Sequence, residues 1–345
     1  MPLQILHLAG SPTDEFFAEL SRLYASDCLA ATNDPGRFES FIAYVSPDGR
    51  WRFPPSLDRA AIEATPSLSQ IDVVDELRDL GIDVMVPQMF CLAGMTVYRR
   101  LFELLGIPYV GNRAEVMAVG ADKSRARSIV AAAGVDVPEG EILRHGDVPT
   151  LGVPAVVKPV NSDNSVGVSL VRDPADFPSA IELALQHCDR VLVERYIELG
   201  REVRCGVLVE DGQLRCLPLE EYAVDTERKP IRDRADKLIR DDRGQLVLNA
   251  KTAERAWIVS ADDPINAPVW EAARRCHDAL GCRDYSLFDF RIDPAGRPWF
   301  LEAGLYCSFA EQSVISVMAK AAGIDLPELF DTAVRQALRR QPTDT

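Results

Sequence analysis

The pattern of apolar and polar positions predicts β-strands that alternate with helices through the first part of the chain. Residues 3–8 form an apolar run typical of a buried strand, and residues 13–31 carry apolar side chains at helical spacing. The same alternation continues, with predicted helices that end at Gly81 and Gly106. Strands alternating with helices are typical of an open, mainly parallel sheet. We therefore predict an N-terminal α/β domain over residues 1–116.

The middle of the chain combines two lysines with a small polar turn. Residues 116–133 predict one alanine-rich helix that contains Lys123, and Lys158 ends a short apolar strand. An unpaired ammonium group is costly to bury, so Lys158 either serves a site or reaches solvent at the end of its strand. The turn at residues 162–167 offers backbone N–H groups and hydroxyls to a phosphate, although it matches neither the P-loop nor the dinucleotide-binding fingerprint.

A predicted hairpin late in the chain carries the strongest functional signal. Its strands are joined by the Pro/Gly turn 294–297, which predicts a register with Asp293 opposite Pro298 and Asp289 opposite Glu302. Facing carboxylates lie ~5 Å apart at Cβ and repel unless a cation neutralises them. Mg²⁺ favours one or two carboxylates together with substrate phosphates. The alternative is a solvated face that carries one repelling pair.

The same register sorts the other hairpin side chains into two faces, because successive side chains of a strand point to opposite sides. Phe300 is expected on the face of the two carboxylates. The apolar face is predicted to consist of Phe288, Phe290, Ile292, Trp299, Leu301 and Ala303.

The composition is that of a globular protein, and its net charge excludes some classes of binding partner. A formal net charge of −15 argues against binding to nucleic acid or to an anionic membrane surface. A nucleotide substrate would therefore need a locally basic cleft. No stretch approaches the ~18 apolar residues of a membrane span, and no secretion signal is recognised. The eight cysteines lack metal-like spacing and predict mostly buried thiols in a reducing cytoplasm.

The candidate residues follow one another in a distinctive order. A helix with Lys123, a strand with Lys158, a Ser/Gly loop and a strand with Glu194 precede Asp289 and Glu302. This order resembles the ATP-grasp superfamily and, within it, the D-alanine–D-alanine ligase group. The resemblance implies a mixed α/β ATP-grasp fold in three parts: the open parallel α/β domain at 1–116, a small central α+β subdomain at 117–198, and a C-terminal sheet subdomain at 199–345.

The resemblance implies that ATP and Mg²⁺ are the cofactors, with Mn²⁺ as a substitute. The implied ligands are Lys123 and Lys158 for the phosphates, a closing loop with Ser165 and Gly167, the adenine-binding segment Glu194, Arg195, Tyr196 and Ile197, Glu202 for the ribose, and Asp289 and Glu302 for the metal.

Other residues are implied at the reacting groups and for the substrates. Lys237 matches a lysine of the lid, predicted at residues 221–249, for which a solvated surface loop is the alternative. Cys307 is as compatible with packing as with a pocket, and Ser313 also suits a helix N-cap. The implied catalytic residues are Lys237 and Ser165, and the implied substrate residues are Asp14 and Ser313. Tyr306, Cys307 and Ser308 are predicted to line the acceptor pocket because they lie just beyond Gly304. Arg291, on the same predicted hairpin face as Leu287, is a candidate to replace the arginine that the family has at position 287.

Three departures from the family pattern shape the functional prediction. Gly304 stands where the family has an asparagine, Leu287 where it has an arginine, and Leu238 where it has a tyrosine. The missing arginine normally stabilises a tetrahedral intermediate at a carboxyl carbon, which disfavours a dipeptide ligase. Likeness in several segments, among them residues 87–95 and 282–309, favours the mycosporine-glycine–amino acid ligases instead.

The predicted function is therefore an ATP- and Mg²⁺-dependent ligase that joins an amino acid to phosphate-activated mycosporine-glycine. The first alternative is a D-alanine–D-alanine ligase or a related dipeptide ligase. The second is a nucleotide-binding module that has lost catalysis. The predicted partners are small molecules, with no nucleic acid or membrane, and the resemblance implies a homodimer.

Overall fold

The computed structural model describes residues 2–162, 166–224 and 254–340, and the backbone alone of residues 238–240 and 246–248. Within these residues the strands are β1 (Leu3–Gly10), β2 (Phe38–Val45), β3 (Trp51–Arg52), β4 (Val84–Pro87), β5 (Gly140–Leu143), β6 (Ala155–Pro159), β7 (Ser169–Val171), β8 (Val191–Arg195), β9 (Arg201–Glu210), β10 (Gln213–Cys216), β11 (Glu220–Tyr222), β12 (Leu238–Arg240), β13 (Leu246–Leu248), β14 (Ala256–Ile258), β15 (Tyr285–Ile292) and β16 (Pro298–Gly304). The helices are α1 (Glu15–Ala31), α2 (Arg59–Ala64), α3 (Asp72–Leu80), α4 (Arg99–Leu105), α5 (Ala114–Gly120), α6 (Lys123–Ala132), α7 (Phe177–Leu185), α8 (Asn266–Ala279), α9 (Val314–Ala321) and α10 (Leu326–Arg339).

Helices and several sheets share the chain, which confirms the predicted mixed α/β class. The chain divides into two compact units. The first contains the described residues within 1–118, 283–285 and 305–345, and the second those within 119–282 and 286–304. The finer division at residues 116 and 198 stays a prediction.

The first unit contains the predicted parallel sheet. Its strand order is β3-β2-β1-β4, with β1 parallel to both β2 and β4 and with β3 antiparallel at the edge. Leu6 and Leu8 of β1 are fully buried against Val45 of β2 and Met85 of β4. Helices α1, α3 and α4 follow the strands as crossovers, as the alternation along the sequence predicts.

The first sheet of the second unit is antiparallel, in the order β5-β8-β6-β7. Its buried face packs on α7 through a core that includes Val157, Val193 and Phe177. The single helix predicted at residues 116–133 is wrong, because two helices, α5 and α6, occupy that stretch. The side chain of Asp122 accepts from two backbone N–H groups of the next turn and so begins a new helix.

The second sheet of this unit has the order β14-β11-β9-β15-β16, and β10 also pairs with β9. The β15–β16 hairpin places Asp289 opposite Glu302, as predicted, but the register shifts by one residue just beyond this pair. Phe290 therefore faces Phe300 and not Leu301, and Ile292 faces Pro298. The predicted faces are wrong in this half of the hairpin.

The extra residue of this β-bulge is Leu301, and it changes which side chains are buried. Phe300 joins the apolar face, where its ring contacts Phe288 and Phe290 at centroid distances of 6.3 and 6.2 Å. Leu301 instead lines the same pocket as Glu302. A bulge re-aims side chains in this way because two residues of one strand oppose one residue of the other.

Two other sequence-based expectations concern the whole chain. All eight cysteines are free and five of them are buried, which confirms the predicted thiols. Among the described residues, none of the helices has both the length and the apolar character needed to cross a membrane.

Gly10 at the end of β1 offers a test of backbone fit in the first sheet. Its φ is +92°, and a Cβ there would overlap the carbonyl oxygen of Val45 on β2. Gly49, with φ of +77°, has open space around the same position. We expect Gly49→Ala to cost about 1 kcal/mol in free energy of unfolding from backbone strain alone. Gly10→Ala should cost at least about 1–3 kcal/mol more from overpacking. Urea unfolding measures both, and equal losses would contradict the steric argument.

Candidate active site

A pocket in the second unit gathers most of the residues predicted to bind a nucleotide and a metal. It is open to solvent and contains about 830 Å³ of space not occupied by protein atoms. Both sheets of the unit and the start of α6 contribute to its wall. The predicted residues that line it are Lys123, Lys158, Glu194, Arg195, Ile197, Glu202, Asp289, Arg291 and Glu302. Gly167 lies between two lining residues, Val166 and Val168.

Lys158 is held inside the pocket wall by a buried ion pair. The lysine is only 7% exposed, so the alternative of a strand-end lysine that reaches solvent is wrong. Its Nζ lies 2.5 Å from Oε2 of Glu194, and Nε of Arg127 lies 3.2 Å from the other oxygen of the same carboxylate. The antiparallel pairing of β6 and β8 brings the two strands together here. The ion pair removes most of the cost of burying both charges.

Lys123 is the first residue of α6, and the cap of that helix fixes its position. Asp122 accepts from the backbone N–H groups of Ser124 and Arg125 at 3.0 and 3.1 Å and from Nη2 of Arg190 at 2.8 Å. From this base, Nζ of Lys123 donates to the carbonyl of Ser162 and lies 3.6 Å from Oε2 of Glu302. The cap therefore connects the predicted phosphate loop with the predicted metal ligand.

The facing carboxylates of the hairpin each have a cationic neighbour. Asp289 is gripped by Arg204 of β9, with Nε 2.6 Å from Oδ1 and Nη2 2.9 Å from Oδ2. Glu302 has Lys123 at 3.6 Å. Among the described residues no cluster of three or more His, Cys, Asp or Glu side chains forms a self-contained metal cage. Two carboxylates are nevertheless the donor set that Mg²⁺ or Mn²⁺ takes when substrate phosphates supply the remaining oxygens.

Arg291 lies in the pocket wall beside Glu202 and Ile197, which are predicted to bind the ribose and the adenine. It is 3% exposed and donates from Nη2 to Oε2 of Glu202 at 2.8 Å and from Nη1 to the carbonyl of Ile197 at 3.3 Å. Its guanidinium also stacks over the ring of Tyr196, 5.3 Å from the centroid. These contacts orient the predicted ribose ligand and adenine-binding segment. A catalytic role for Arg291 stays a prediction.

The charges around the pocket bear on the expectation that a nucleotide needs a locally basic cleft in this acidic chain. The predicted residues on the wall carry four positive and four negative charges, which cancel. Arg127 and Arg204 contact two of these carboxylates and add an excess of positive charge. A protein with a formal net charge of −15 therefore has a locally cationic pocket, as a polyphosphate ligand needs.

Arg127 and Arg204 contact carboxylates of the pocket wall, and the sequence patterns predicted neither of them. A signal existed for Arg204, because it lies between Val203 and Cys205 in an otherwise apolar strand. A charged side chain in such a strand predicts a partner of opposite charge. The sequence does not say which strand is the neighbour, so the partner, Asp289, emerges only from the order of strands in the sheet.

Two of the predicted substrate residues, Asp14 and Ser313, lie at helix N-termini in the first unit. Asp14 is exposed and caps α1, accepting from the N–H of Phe17 at 2.8 Å. Ser313 occupies the N-cap position of α9, but its hydroxyl pairs with that of Ser316 at 2.8 Å and makes no side-chain cap bond. Their roles with substrates stay predictions.

The other predicted substrate residues follow β16 and also belong to the first unit. The ring of Tyr306 contacts that of Phe90 with centroids 5.4 Å apart, and the carbonyl of Ser308 accepts from Nε2 of Gln88 at 3.0 Å. Cys307 is buried, and burial raises the pKa of its thiol to about 12. Such a thiol is unreactive at neutral pH, which favours the packing role for Cys307.

Several of the predicted site residues lie outside the part of the chain that the structure describes. Ser165 of the phosphate loop and Lys237 of the lid are among them, as is most of the predicted lid. The two departures in the hairpin are visible: Leu287 and Gly304 face each other across β15 and β16. A Cβ at Gly304 would lie 3.6 Å from Cδ2 of Leu287, an ordinary packing distance.

Comparisons with known proteins agree on one family. Residues 138–335 match the family model described as D-ala D-ala ligase C-terminus. The chain is 31% identical to a D-alanine–D-alanine ligase of Mycolicibacterium vanbaalenii, covering 92% of this chain and 94% of the relative. It is also 31% identical to the corresponding ligase of Nocardia farcinica, with 94% and 96% covered.

Solved structures give the same fold. The VanG D-Ala:D-Ser ligase of Enterococcus faecalis superposes with a TM-score of 0.79 at 22% identity, covering 98% of this chain and all of that one. A D-alanine–D-alanine ligase of Bacillus anthracis complexed with ATP has a TM-score of 0.74 at 19% identity, covering 99% of this chain and all of that one. The ATP-grasp fold predicted from the order of motifs is confirmed.

These comparisons correct the predicted reaction. The similar proteins are D-alanine–D-alanine ligases and a D-Ala:D-Ser ligase, and they give no support to a ligase of mycosporine-glycine. The prediction of that substrate is wrong, and the first alternative, a dipeptide ligase, is the better one. The prediction of an ADP-forming ligase that makes C–N bonds with ATP and Mg²⁺ is confirmed at the level of the family.

The cap that positions Lys123 gives a pH-dependent test. Burial alone raises the pKa of Asp122, but hydrogen bonds from Ser124, Arg190 and the backbone outweigh it and hold the pKa below the ordinary 3.8. A carboxyl whose pKa is lowered by folding stabilises the protein above its unfolded pKa, and this stabilisation is lost as the pH falls through the folded value. Asp122→Asn should lower the free energy of unfolding by about 1–2 kcal/mol at neutral pH. The difference from wild type should shrink below pH 3.8 in urea titrations. If the free energies of unfolding of the variant and wild type differed by the same amount at every pH, the role of the ionised Asp122 carboxylate would be contradicted.

Proposed function

Because the chain belongs to the D-alanine–D-alanine ligase family, we propose that it is an ATP- and Mg²⁺-dependent ligase that joins two amino acids, with D-alanine as the first candidate for both. The observation that carries this proposal is the cationic pocket of the second unit. There, two lysines and the facing pair Asp289 and Glu302 line one cavity.

The pocket has separate groups for each part of the nucleotide. Lys123 and Lys158 provide the charge for the phosphates, and their positions are fixed by the α6 cap and by Glu194. Glu202 is held by Arg291 and offers acceptors to the ribose hydroxyls. The segment from Glu194 to Ile197 would receive the adenine, and Ser165, Gly167 and Lys237 would close over the phosphates.

The reaction that fits these groups proceeds in two balanced steps. The carboxylate of the first amino acid takes the γ-phosphoryl group of ATP, and ADP leaves. The amine of the second amino acid then attacks the carbonyl carbon and forms the C–N bond, and inorganic phosphate leaves with the electrons of the C–O bond. The amine nitrogen gives up one proton to the leaving phosphate or to water. Mg²⁺ held by Asp289 and Glu302 would supply charge neutralisation at the phosphates. The two lysines would hold the transferring group in line and add fixed positive charge.

Asp14, Tyr306, Ser308 and Ser313 are proposed to contact the amino acids, with Ser313 next to a carboxylate at the start of α9. A homodimer and a cytoplasmic location stay predictions. A nucleotide-binding module without catalysis is the second candidate function, because Leu287 and Gly304 replace two polar residues of the family pattern.

The test is turnover of ATP with defined amino acids. The purified protein is incubated with ATP and Mg²⁺ and no amino acid, D-alanine, D-alanine with D-serine, or L-alanine, and both ADP and dipeptide are measured. We expect ADP and dipeptide in equal amounts with D-alanine. Tight nucleotide binding without release of ADP in any of these mixtures would favour the binding module.

Two substitutions test the metal ligands within this function. Asp289→Asn and Glu302→Gln should each lower kcat by at least ~10²-fold and raise the Mg²⁺ concentration needed for half activity, because each removes a charged oxygen ligand. Asp293→Asn is the matched control, since this carboxylate lies at the hairpin turn and accepts from Ala295 and Arg297 backbone groups. The control should retain wild-type turnover. Wild-type rates in either of the first two variants would remove that residue from the metal site.

A further inference from the structure

Arg204 reaches Asp289 of the pocket wall from β9, the strand next to β15, and its side chain is largely buried. Two nitrogens of its guanidinium group face the carboxylate of Asp289. Nε lies 2.6 Å from Oδ1, and Nη2 lies 2.9 Å from Oδ2. The guanidinium also lies 5.2 Å from the ring centroid of Tyr222 on β11. Nη2 donates a hydrogen bond to Oδ2 and Nε adds a short charge contact to Oδ1, so the guanidinium and the ring beside it restrict where the carboxylate can lie.

We propose that Arg204 is a positioning residue that neutralises Asp289 in the nucleotide-free protein, so that a divalent cation binds between Asp289 and Glu302 only together with the triphosphate. This inference rests on the proposed function, because it takes these two carboxylates to be the metal ligands.

The charges at the hairpin support the proposal. Asp289 has Arg204 on both oxygens, and Glu302 has the ammonium group of Lys123 at 3.6 Å. Two carboxylates and two cations leave a bare divalent cation with no net negative charge to bind. Arg204 is also close enough to Glu302 for the two charges to attract. A cation arriving alone would therefore be repelled by Arg204 and would have to displace it.

A triphosphate changes this balance because it brings several negative charges and its own oxygen ligands. Phosphate oxygens beside Lys123 would draw that ammonium away from Glu302, and the cation would share Asp289 with Arg204 instead of replacing it. Arg204 would then hold Asp289 through one carboxylate oxygen and leave the other oxygen to bind the metal. Positioning by a second layer of side chains is a general feature of metal ligands.

The test compares Mn²⁺ binding with and without nucleotide, read from the electron paramagnetic resonance signal of free Mn²⁺. In wild type, Mn²⁺ alone should bind at least ~10²-fold more weakly than in the presence of a non-hydrolysable ATP analogue. Arg204→Met removes the charge, so Mn²⁺ alone should bind at least ~10-fold more tightly than in wild type. Arg204→Lys keeps the charge but loses the fork, so binding of Mn²⁺ alone should remain weak while kcat falls.

Arg201→Met is the matched control. Arg201 lies on the same strand and also contacts carboxylates, with Nη1 3.0 and 2.8 Å from the two oxygens of Asp263 and Nε 2.9 Å from Glu221, but neither of these carboxylates lines the pocket. This variant should lose thermal stability and keep the wild-type Mn²⁺ affinities. If Arg204→Met does not fold, Arg204→Gln replaces it, because glutamine is neutral and can still donate a hydrogen bond to Asp289. We expect the same tighter binding of Mn²⁺ in the absence of nucleotide.

The outcomes separate this inference from the proposed function. Two results together support both the role of Arg204 and the proposed function. Wild type binds Mn²⁺ only when nucleotide is present, and Arg204→Met, but not Arg201→Met, binds Mn²⁺ without nucleotide. Unchanged nucleotide-free binding in Arg204→Met, while wild type binds Mn²⁺ with nucleotide, overturns the role of Arg204 and leaves the ligase proposal standing. Failure of wild type to bind Mn²⁺ even with nucleotide overturns the metal site itself.

Discussion

A charge taken out of water is costly unless an opposite charge goes with it, and the pocket of the second unit is built under this constraint. Lys158 with Glu194 and Arg291 with Glu202 are buried pairs along its wall, and Arg204 with Asp289 is a half-buried pair. Each joins two strands that are neighbours in a sheet. The sheet order therefore decides which charges meet, and the pairs in turn fix the side chains that face the ligand.

Pairing of this kind allows a strongly acidic chain to present a cationic pocket. The carboxylates on the wall are already compensated, so the further arginines Arg127 and Arg204 leave net positive charge toward a ligand. Each charged group of these three pairs lies beside a group of opposite charge. An anion that enters exchanges partners with groups that are already in place, which lowers the cost of ordering them.

The fold could be predicted from the sequence wherever a local pattern was decisive. Alternation of strands and helices predicted the parallel sheet of the first unit, and the order of Lys123, Lys158, Asp289 and Glu302 predicted the ATP-grasp fold. The hairpin shows the limit: the turn suggested a regular register, whereas burial of Phe300 against Phe288 and Phe290 requires an extra residue at Leu301. Packing among distant rings decided that register, and a turn motif contains no such information.

The substrate prediction failed for a related reason. On the sequence alone, the absence of an arginine at Leu287 indicates a change of chemistry, because a sequence shows which residue is missing from a motif and not which residue comes close in space. In the sheet, β9 lies beside β15, and Arg204 brings a guanidinium to the carboxylate of Asp289 from the neighbouring strand. A motif along one strand therefore does not give all the charges of a site, since an adjacent strand contributes some of them. The function of such a site depends on the set of charges that the fold collects and not on the strand that carries each one.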